Sequence, residues 1–163
     1  MKIVKKLDEL NKILEPVKNT KKSIGLVLTM GNIHQGHLSL VDKARSDNDF
    51  VVVSIFINPT QFNNKDDFNY YPRTLNTDIE KLEISNCDLL FLPELTEIYP
   101  NGFSTEKTVT RYRDILCDKF RPGHFEGVTT VVSIFFELIK PTNSYFGEKD
   151  FQQFKLVSEL VKI

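Results

Sequence analysis

The chain has 163 residues, of which 40% are hydrophobic and 26% charged, and its net charge is −1. That balance suits one globular domain with room for a sizeable core, and it offers no chain-wide positive field to hold nucleic acid or an anionic membrane. No apolar run approaches the roughly 18–20 residues needed to cross a bilayer. The N-terminus, MKIVKKLDEL, has neither the long apolar core nor the small-residue cleavage site of a secretory signal, so a cytoplasmic protein is expected. Cys87 and Cys117 form no close metal-type pair and are expected as reduced thiols. With 13 Phe and no Trp, a Phe-lined core is expected.

In chain order, Leu7, Leu10 and Leu14 share one helical face, and Pro16 should end or bend that helix. Asn19 to Ser23 is a polar loop. The apolar run Ile24, Leu26, Val27 and Leu28 then reads as one buried strand, followed by the turn Thr29-Met30-Gly31-Asn32. Ile33, His34, Gln35, Gly36 and His37 come next, and Leu38, Val41 and Ala44 recur at helical spacing. An H-x-G-H therefore sits where a strand hands over to a helix. The first turn of a helix carries unpaired N–H groups and the positive end of the dipole, which attracts phosphate. Gly31 and Gly36 leave room for close approach, and His34 and His37 can donate to phosphate oxygens on which charge builds up. Isolated surface histidines usually do nothing, but the chain has only 3 His and two fall in this turn.

Phe50 to Ile57 is apolar and β-branched on both faces, as in a central parallel strand covered by helices. Asn58 and Gln61 leave its carboxyl end, where ligands sit in open parallel sheets. Asn63 to Tyr71 is polar, a flap or a long loop. Thr74 is a plausible N-cap for a helix with Leu75, Ile79 and Leu82 as its buried stripe. Asp88 to Leu92 is a short strand, and Leu95 to Gly102 a turn-rich connection. Thr105 to Thr110 reads as a strand and Tyr112 to Leu116 as a helical turn. In the basic loop Lys119 to Phe125, Arg121 suits a polyphosphate, while His124 reads rather as a surface group.

Val128, Val131, Val132, Phe135, Leu138 and Ile139 mark a helix ended by Pro141. Ser144 to Phe146 is a strand, Gly147-Glu148-Lys149-Asp150 its exit, and Phe151, Phe154, Val157 and Val161 a further helical stripe. Lys149 can meet phosphate as a point charge, and Asp150 a ribose hydroxyl or a hydrated Mg²⁺, although an N-capping Asp beside a solvated Lys would look the same. Strands alternate with helices throughout. The fold expected is α/β, a doubly wound, mostly parallel sheet with helices on both faces.

Five segments, TMGNIHQGHLSLV, VVVSIFINPTQF, YPRTL, RPGHFEGVTTVV and YFGEKDFQQ, occur in the order and spacing of the pantoate–β-alanine ligases, and from Ile24 onward the chain resembles that family. The resemblance implies a Rossmann-like fold of the H-x-G-H nucleotidylyltransferase type. It implies ATP-dependent condensation of pantoate with β-alanine through a pantoyl adenylate, with release of AMP and pyrophosphate. It places Met30 to His37 and Gly147 to Asp150 on ATP, with His34 and His37 at the phosphates and Lys149 beside them. It places Gln61 and Gln153 on pantoate, and Asn58, Tyr71 and Arg121 among the remaining substrate contacts. Mg²⁺ near Asp150 and a homodimer are also implied. Leu28 stands where the family usually has Pro. The family continues into a smaller lid domain with a basic segment, so residues 1–163 are expected to form the nucleotide- and pantoate-binding domain, weakly active without the lid.

Other readings are an H-x-G-H adenylyltransferase with a different substrate, which would lack the NPTQF and GEKDFQQ pair, and a non-catalytic nucleotide-binding module. A class I aminoacyl-tRNA synthetase would need a longer chain and a basic face.

Overall fold

The computed structural model describes residues 1–103, 119, 121 and 123–162. The segments expected as a strand at 105–110 and a helical turn at 112–116 lie outside the described residues, as does Cys117. Among the described residues five strands form one sheet: β1 (Lys2–Val4), β2 (Ile24–Thr29), β3 (Phe50–Ile55), β4 (Leu89–Phe91) and β5 (Asn143–Tyr145). Their order is β1-β4-β3-β2-β5, and every pairing is parallel. The helices among the described residues are α1 (Leu7–Asn19), α2 (Gln35–Asp47), α3 (Lys65–Asn69), α4 (Leu75–Ile84), α5 (Leu95–Ile98), α6 (His124–Ile139) and α7 (Phe151–Leu160).

Strand alternation sorts the core into two layers. Leu26, Val52, Leu89 and Phe91 face one side, where Leu10 and Leu14 of α1, Val128, Val132, Phe135 and Ile139 of α6, and Leu156 of α7 cover them. Val27, Val51, Val53 and Leu90 face the other, against Val41 and Ala44 of α2 and Leu82 of α4. Both faces of β3 are thus buried, which is why its sequence, Ser54 apart, is apolar rather than alternating. Phe91 is fully buried, and Phe56, Phe125 and Phe135 join it in the first layer.

The order places β2 between β3 and β5. The chain runs outward from β2 through β3 to β4, then returns across the sheet to β5. The crevice at the carboxyl ends of β2 and β5 is therefore the topological switch point, the usual ligand position in such sheets.

Several local expectations change. Helix α1 runs through Pro16 to Asn19. The proline costs one internal bond, but Leu10 and Leu14 are fully buried against the sheet, about 1.5–3 kcal/mol each. Lys2 to Val4, which carried no strand signal, supplies the edge strand beside β4. Within 63–71, residues Lys65–Asn69 form a helical turn, begun by Asn64 Oδ1 accepting the Asp66 amide at 2.8 Å. In α4 the expected stripe is broken: Leu75 is 40% exposed, whereas Asp78 is 1% exposed. In α7 the buried face is Leu156, Val157 and Leu160, while Phe151 and Val161 stay exposed. Packing against α6 turns that stripe round the helix, and Phe151 instead lies under the Lys155 ammonium, 5.2 Å from the ring centre.

Candidate active site

The corner after β2 is built by side chains more than by sequence propensity. Gly31 (φ 81°) and Asn32 (φ 52°) are consecutive left-handed residues. For Asn this conformation costs on the order of 1 kcal/mol. It is imposed from α4. The Asp78 carboxylate accepts the Asn32 amide at 3.0 Å, the Ile33 amide at 2.8 Å and the Thr74 hydroxyl at 3.0 Å. One turn further along α4, Lys81 Nζ donates to the Ile33 carbonyl. Behind the turn, Thr29 Oγ1 accepts the Gly31 amide at 3.1 Å and donates to the Ser54 carbonyl at 3.1 Å.

His34 is the N-cap of α2 and His37 its third residue. Each ring caps the other's backbone region. The Gly36 amide donates to His34 Nδ1 at 3.1 Å, and the His34 amide donates to His37 Nδ1 at 3.4 Å. The rings stack with centroids 4.0 Å apart and planes inclined by 28°. A neutral imidazole whose Nδ1 accepts must carry its proton on Nε2, so each ring keeps one N–H donor. Burial first, and then the neighbouring His34, pushes the His37 pKa below its ordinary 6.5; Asp78 opposes the shift and Lys149 adds to it.

This arrangement corrects the expectation of a free amide cradle. The amides of Gly31, Asn32, Ile33, His34, Gly36, His37 and Leu38 all have acceptors inside the protein. The donors left at the corner are chiefly the imidazole Nε2–H groups. Ile33 is a core side chain, 1% exposed. Asn32, Gln35 and Gly36 are exposed, and none of these four lines the cavity described next.

A cavity of about 290 Å³ opens at the switch point. Met30, His34 and His37 border it from the β2 corner, Asn58 and Gln61 from the exit of β3, and Asp150 and Gln153 from the exit of β5. Tyr71 also borders it, half-buried, its hydroxyl pKa raised by burial. Val128, Val131, Val132 and Phe135 of α6 supply an apolar wall. An adjoining cavity of about 460 Å³ shares Met30, Gln61, Asp150 and Gln153 with the first and adds Arg121, His124 and Lys149. The two glycine-bearing corners therefore meet, and Lys149 is close enough for His37 to feel its charge. Gly147, Glu148, Lys149 and Asp150 are all exposed, the last three as a single 3-10 turn.

Gln61 is fixed on every side. Its Oε1 accepts from Asn58 Nδ2 at 3.2 Å, its Nε2 lies 3.0 Å from Met30 Sδ, and its carbonyl lies 2.6 Å from His124 Nδ1. Asn58, 1% exposed, spends its whole amide within the protein. Its Oδ1 accepts from the Tyr99 hydroxyl at 2.9 Å and from Thr60, and its Nδ2 also reaches the Gly127 carbonyl at 3.1 Å. Asn58 thus borders the cavity while holding Gln61. His124, read from sequence as a surface group, is buried at the start of α6. Asp78, Tyr99 and Gly127 were not singled out from sequence at all. Only Asp78 left a trace there, as a carboxylate interrupting the apolar stripe of α4. Among the described residues no group of three His, Cys, Asp or Glu could hold a metal ion, and Asp150 is a single exposed carboxylate.

The model of the pantoate-beta-alanine ligase family matches residues 2–163. The chain is 48% identical to the pantothenate synthetases of Thermosipho africanus and Fervidobacterium nodosum, over 99% of its own length and 58% of each of theirs. It superposes with a TM-score of 0.95 on the crystal structure of the pantoate-beta-alanine ligase of Francisella tularensis complexed with beta-gamma ATP and beta-alanine, at 44% identity, covering 99% of this chain and 62% of that one. The pantothenate synthetase of Thermus thermophilus gives a TM-score of 0.92 at 43% identity. The chain spans little more than half the length of these relatives, and within that span it belongs to the pantoate–β-alanine ligase family.

Proposed function

We propose that residues 1–163 form the nucleotide- and pantoate-binding domain of an ATP-dependent ligase that condenses pantoate with β-alanine. In the first half-reaction a pantoate carboxylate oxygen attacks the α-phosphorus of ATP, and the bond to the bridging oxygen breaks as pyrophosphate leaves. In the second, the β-alanine amine attacks the acyl carbon of the adenylate, and AMP leaves. The observation that carries this reading is the convergence of the corners after β2 and β5 on adjoining cavities that share Met30, Gln61, Asp150 and Gln153. Carboxylate and α-phosphorus must meet in line, and such a junction holds both at close range.

The roles follow from the donors available. The Nε2–H groups of His34 and His37 suit phosphate oxygens and would stabilise charge as it develops there. Each ring serves as a hydrogen-bond donor through Nε2–H, and burial favours the neutral form of His37. Lys149 adds a point charge from the β5 corner. Gln61 and Gln153 offer neutral amides that hold a hydroxy acid without competing as nucleophiles. Arg121 and Tyr71 flank them, and Asn58 acts by fixing Gln61. Mg²⁺ keeps most of its waters and takes one or two carboxylates together with phosphate oxygens. The single exposed Asp150 fits an ion carried in by the triphosphate, where it would neutralise charge on the departing pyrophosphate. A homodimer and a cytoplasmic location belong to the same proposal, on the family resemblance.

The test is exchange of labelled pyrophosphate into ATP by this chain. Exchange that depends on pantoate supports the reading, at a rate expected well below that of chains of the relatives' full length. Nucleotide binding with no pantoate-dependent exchange would make the domain a binding module instead.

A further inference from the structure

Ser54 is the one polar residue in the inward-facing series Val52, Ser54 and Phe56 at the end of β3. Its backbone is spoken for: it pairs with Leu28 and Phe91, and its carbonyl accepts the Thr29 hydroxyl. Its side chain is not. The residue is 1% exposed, and its hydroxyl has no hydrogen-bond partner among the described residues. An unpaired buried hydroxyl is a standing cost that a protein normally removes with a partner or with an apolar side chain. Ser54 is also one of the residues that border the 290 Å³ cavity, together with Asn58, Gln61 and the valine wall of α6.

Thr130 supplies the contrast. Its hydroxyl is also buried without a partner among the described residues, yet Thr130 does not border that cavity. Among the described residues, Ser54 alone combines an orphaned buried hydroxyl with a place in the wall of that cavity.

We infer that Ser54 Oγ is a substrate-binding donor, satisfied only when an oxygen of a small hydroxy acid occupies the cavity. This rests on the proposed function, which puts pantoate there. The class of ligand follows from the walls: an aliphatic body against Val128, Val131, Val132 and Phe135, and an acceptor oxygen toward the serine. The nucleotide phosphates belong to the imidazole and lysine side of the junction. The orphaned hydroxyl is then a specificity device. A ligand lacking an oxygen at that point would bury the serine unpaired, and a hydrogen-bonding site rejects such a ligand more strongly than an apolar one does.

The inference predicts opposite signs for stability and binding. In Ser54→Ala the melting temperature is unchanged or higher, because a buried unpaired group has gone, while affinity for pantoate measured by calorimetry falls about tenfold or more. ATP affinity stays as in the unaltered chain. Thr130→Val is the control, with an equal or higher melting temperature and unchanged pantoate affinity. Ser54→Cys, of nearly the same volume but with a weak donor, falls between the two. Equal pantoate affinity in the unaltered chain and Ser54→Ala overturns the assignment and leaves the proposed function standing. A parallel loss of ATP and pantoate affinity in Ser54→Ala also overturns it, as general loosening of the site. If the unaltered chain takes up no pantoate, the proposed function itself falls and the ligand assigned to Ser54 falls with it.

Discussion

The carboxylate of Asp78 accepts the backbone amide of Ile33 at 2.8 Å, across 45 positions of sequence. With its bonds to Asn32 and Thr74, that carboxylate joins α4 to the turn that carries His34 and His37. It does not border the histidine cavity; it borders another, largely apolar cavity that Gly31 also lines. Asp78 therefore acts on the site through backbone geometry.

Asp78→Asn should show this. An amide has one acceptor oxygen, so one of the two turn amides loses its partner in either orientation of the side chain. The expected cost is about 1–3 kcal/mol of stability by urea unfolding, together with weaker ATP binding. Lys81→Met, which removes the donor to the Ile33 carbonyl, should give a smaller effect of the same kind. Unchanged ATP affinity in both would mean that the turn keeps its shape without α4.

A second close approach fixes the other half of the site. A Cβ on Gly127 would lie 2.6 Å from the carbonyl oxygen of Thr60, in the segment that presents Gln61. Gly127→Ala must push that backbone away and should cost about 1–3 kcal/mol. Pantoate binding should weaken more than ATP binding, because Gln61 moves and the phosphate corner does not. Calorimetric titration with each ligand separates the two effects.

The pH response has a defined sign. The folded-state pKa of His37 lies below its ordinary 6.5, with burial the largest cause. Between those two values the unfolded chain holds more protons than the folded one, so stability declines as pH falls through about 6.5 toward the folded pKa. Protonation also places a hydrogen on Nδ1, facing the His34 amide that it had accepted. Urea unfolding between about pH 7.5 and 5 should show a steeper loss for the unaltered chain than for His37→Gln.

Cys87 is 3% exposed, and burial raises its pKa to about 12. The thiol should resist a disulfide-exchange reagent in the native protein at mildly alkaline pH and react once urea has unfolded the chain. Rapid reaction of Cys87 in the native state, assigned by peptide mapping, would contradict its place beneath α4.

Much of this was legible in the sequence. The almost wholly apolar run at 50–57 has no other comfortable home than a strand covered on both faces, and the Gly-bearing exits after Leu28 and Tyr145 mark the strands that flank the switch point. The H-x-G-H positions and both glutamines could be named because a strand-to-helix context and five ordered segments constrain them. What escaped was whatever depends on distant pairing. Asp78 could not be singled out, since nothing local reveals two amides waiting 45 and 46 positions away. His124 looked exposed in a basic loop because its partner, the Gln61 carbonyl, comes from another strand's exit. Ser54 looked like one hydroxyl in a greasy strand. The free-amide reading of the β2 corner failed for the same reason: acceptors from α4 and from the imidazoles had already taken the N–H groups.

The stacked histidines carry one last implication, for coordination chemistry. Imidazoles a single helical turn apart are a familiar trap for zinc or nickel. Here the Nδ1 lone pairs are committed to the Gly36 and His34 amides and the Nε2 atoms bear hydrogen. An incoming transition ion would have to strip a proton from each ring or fray the start of α2 before it could settle. Such ions should neither co-purify with this corner nor be retained by it.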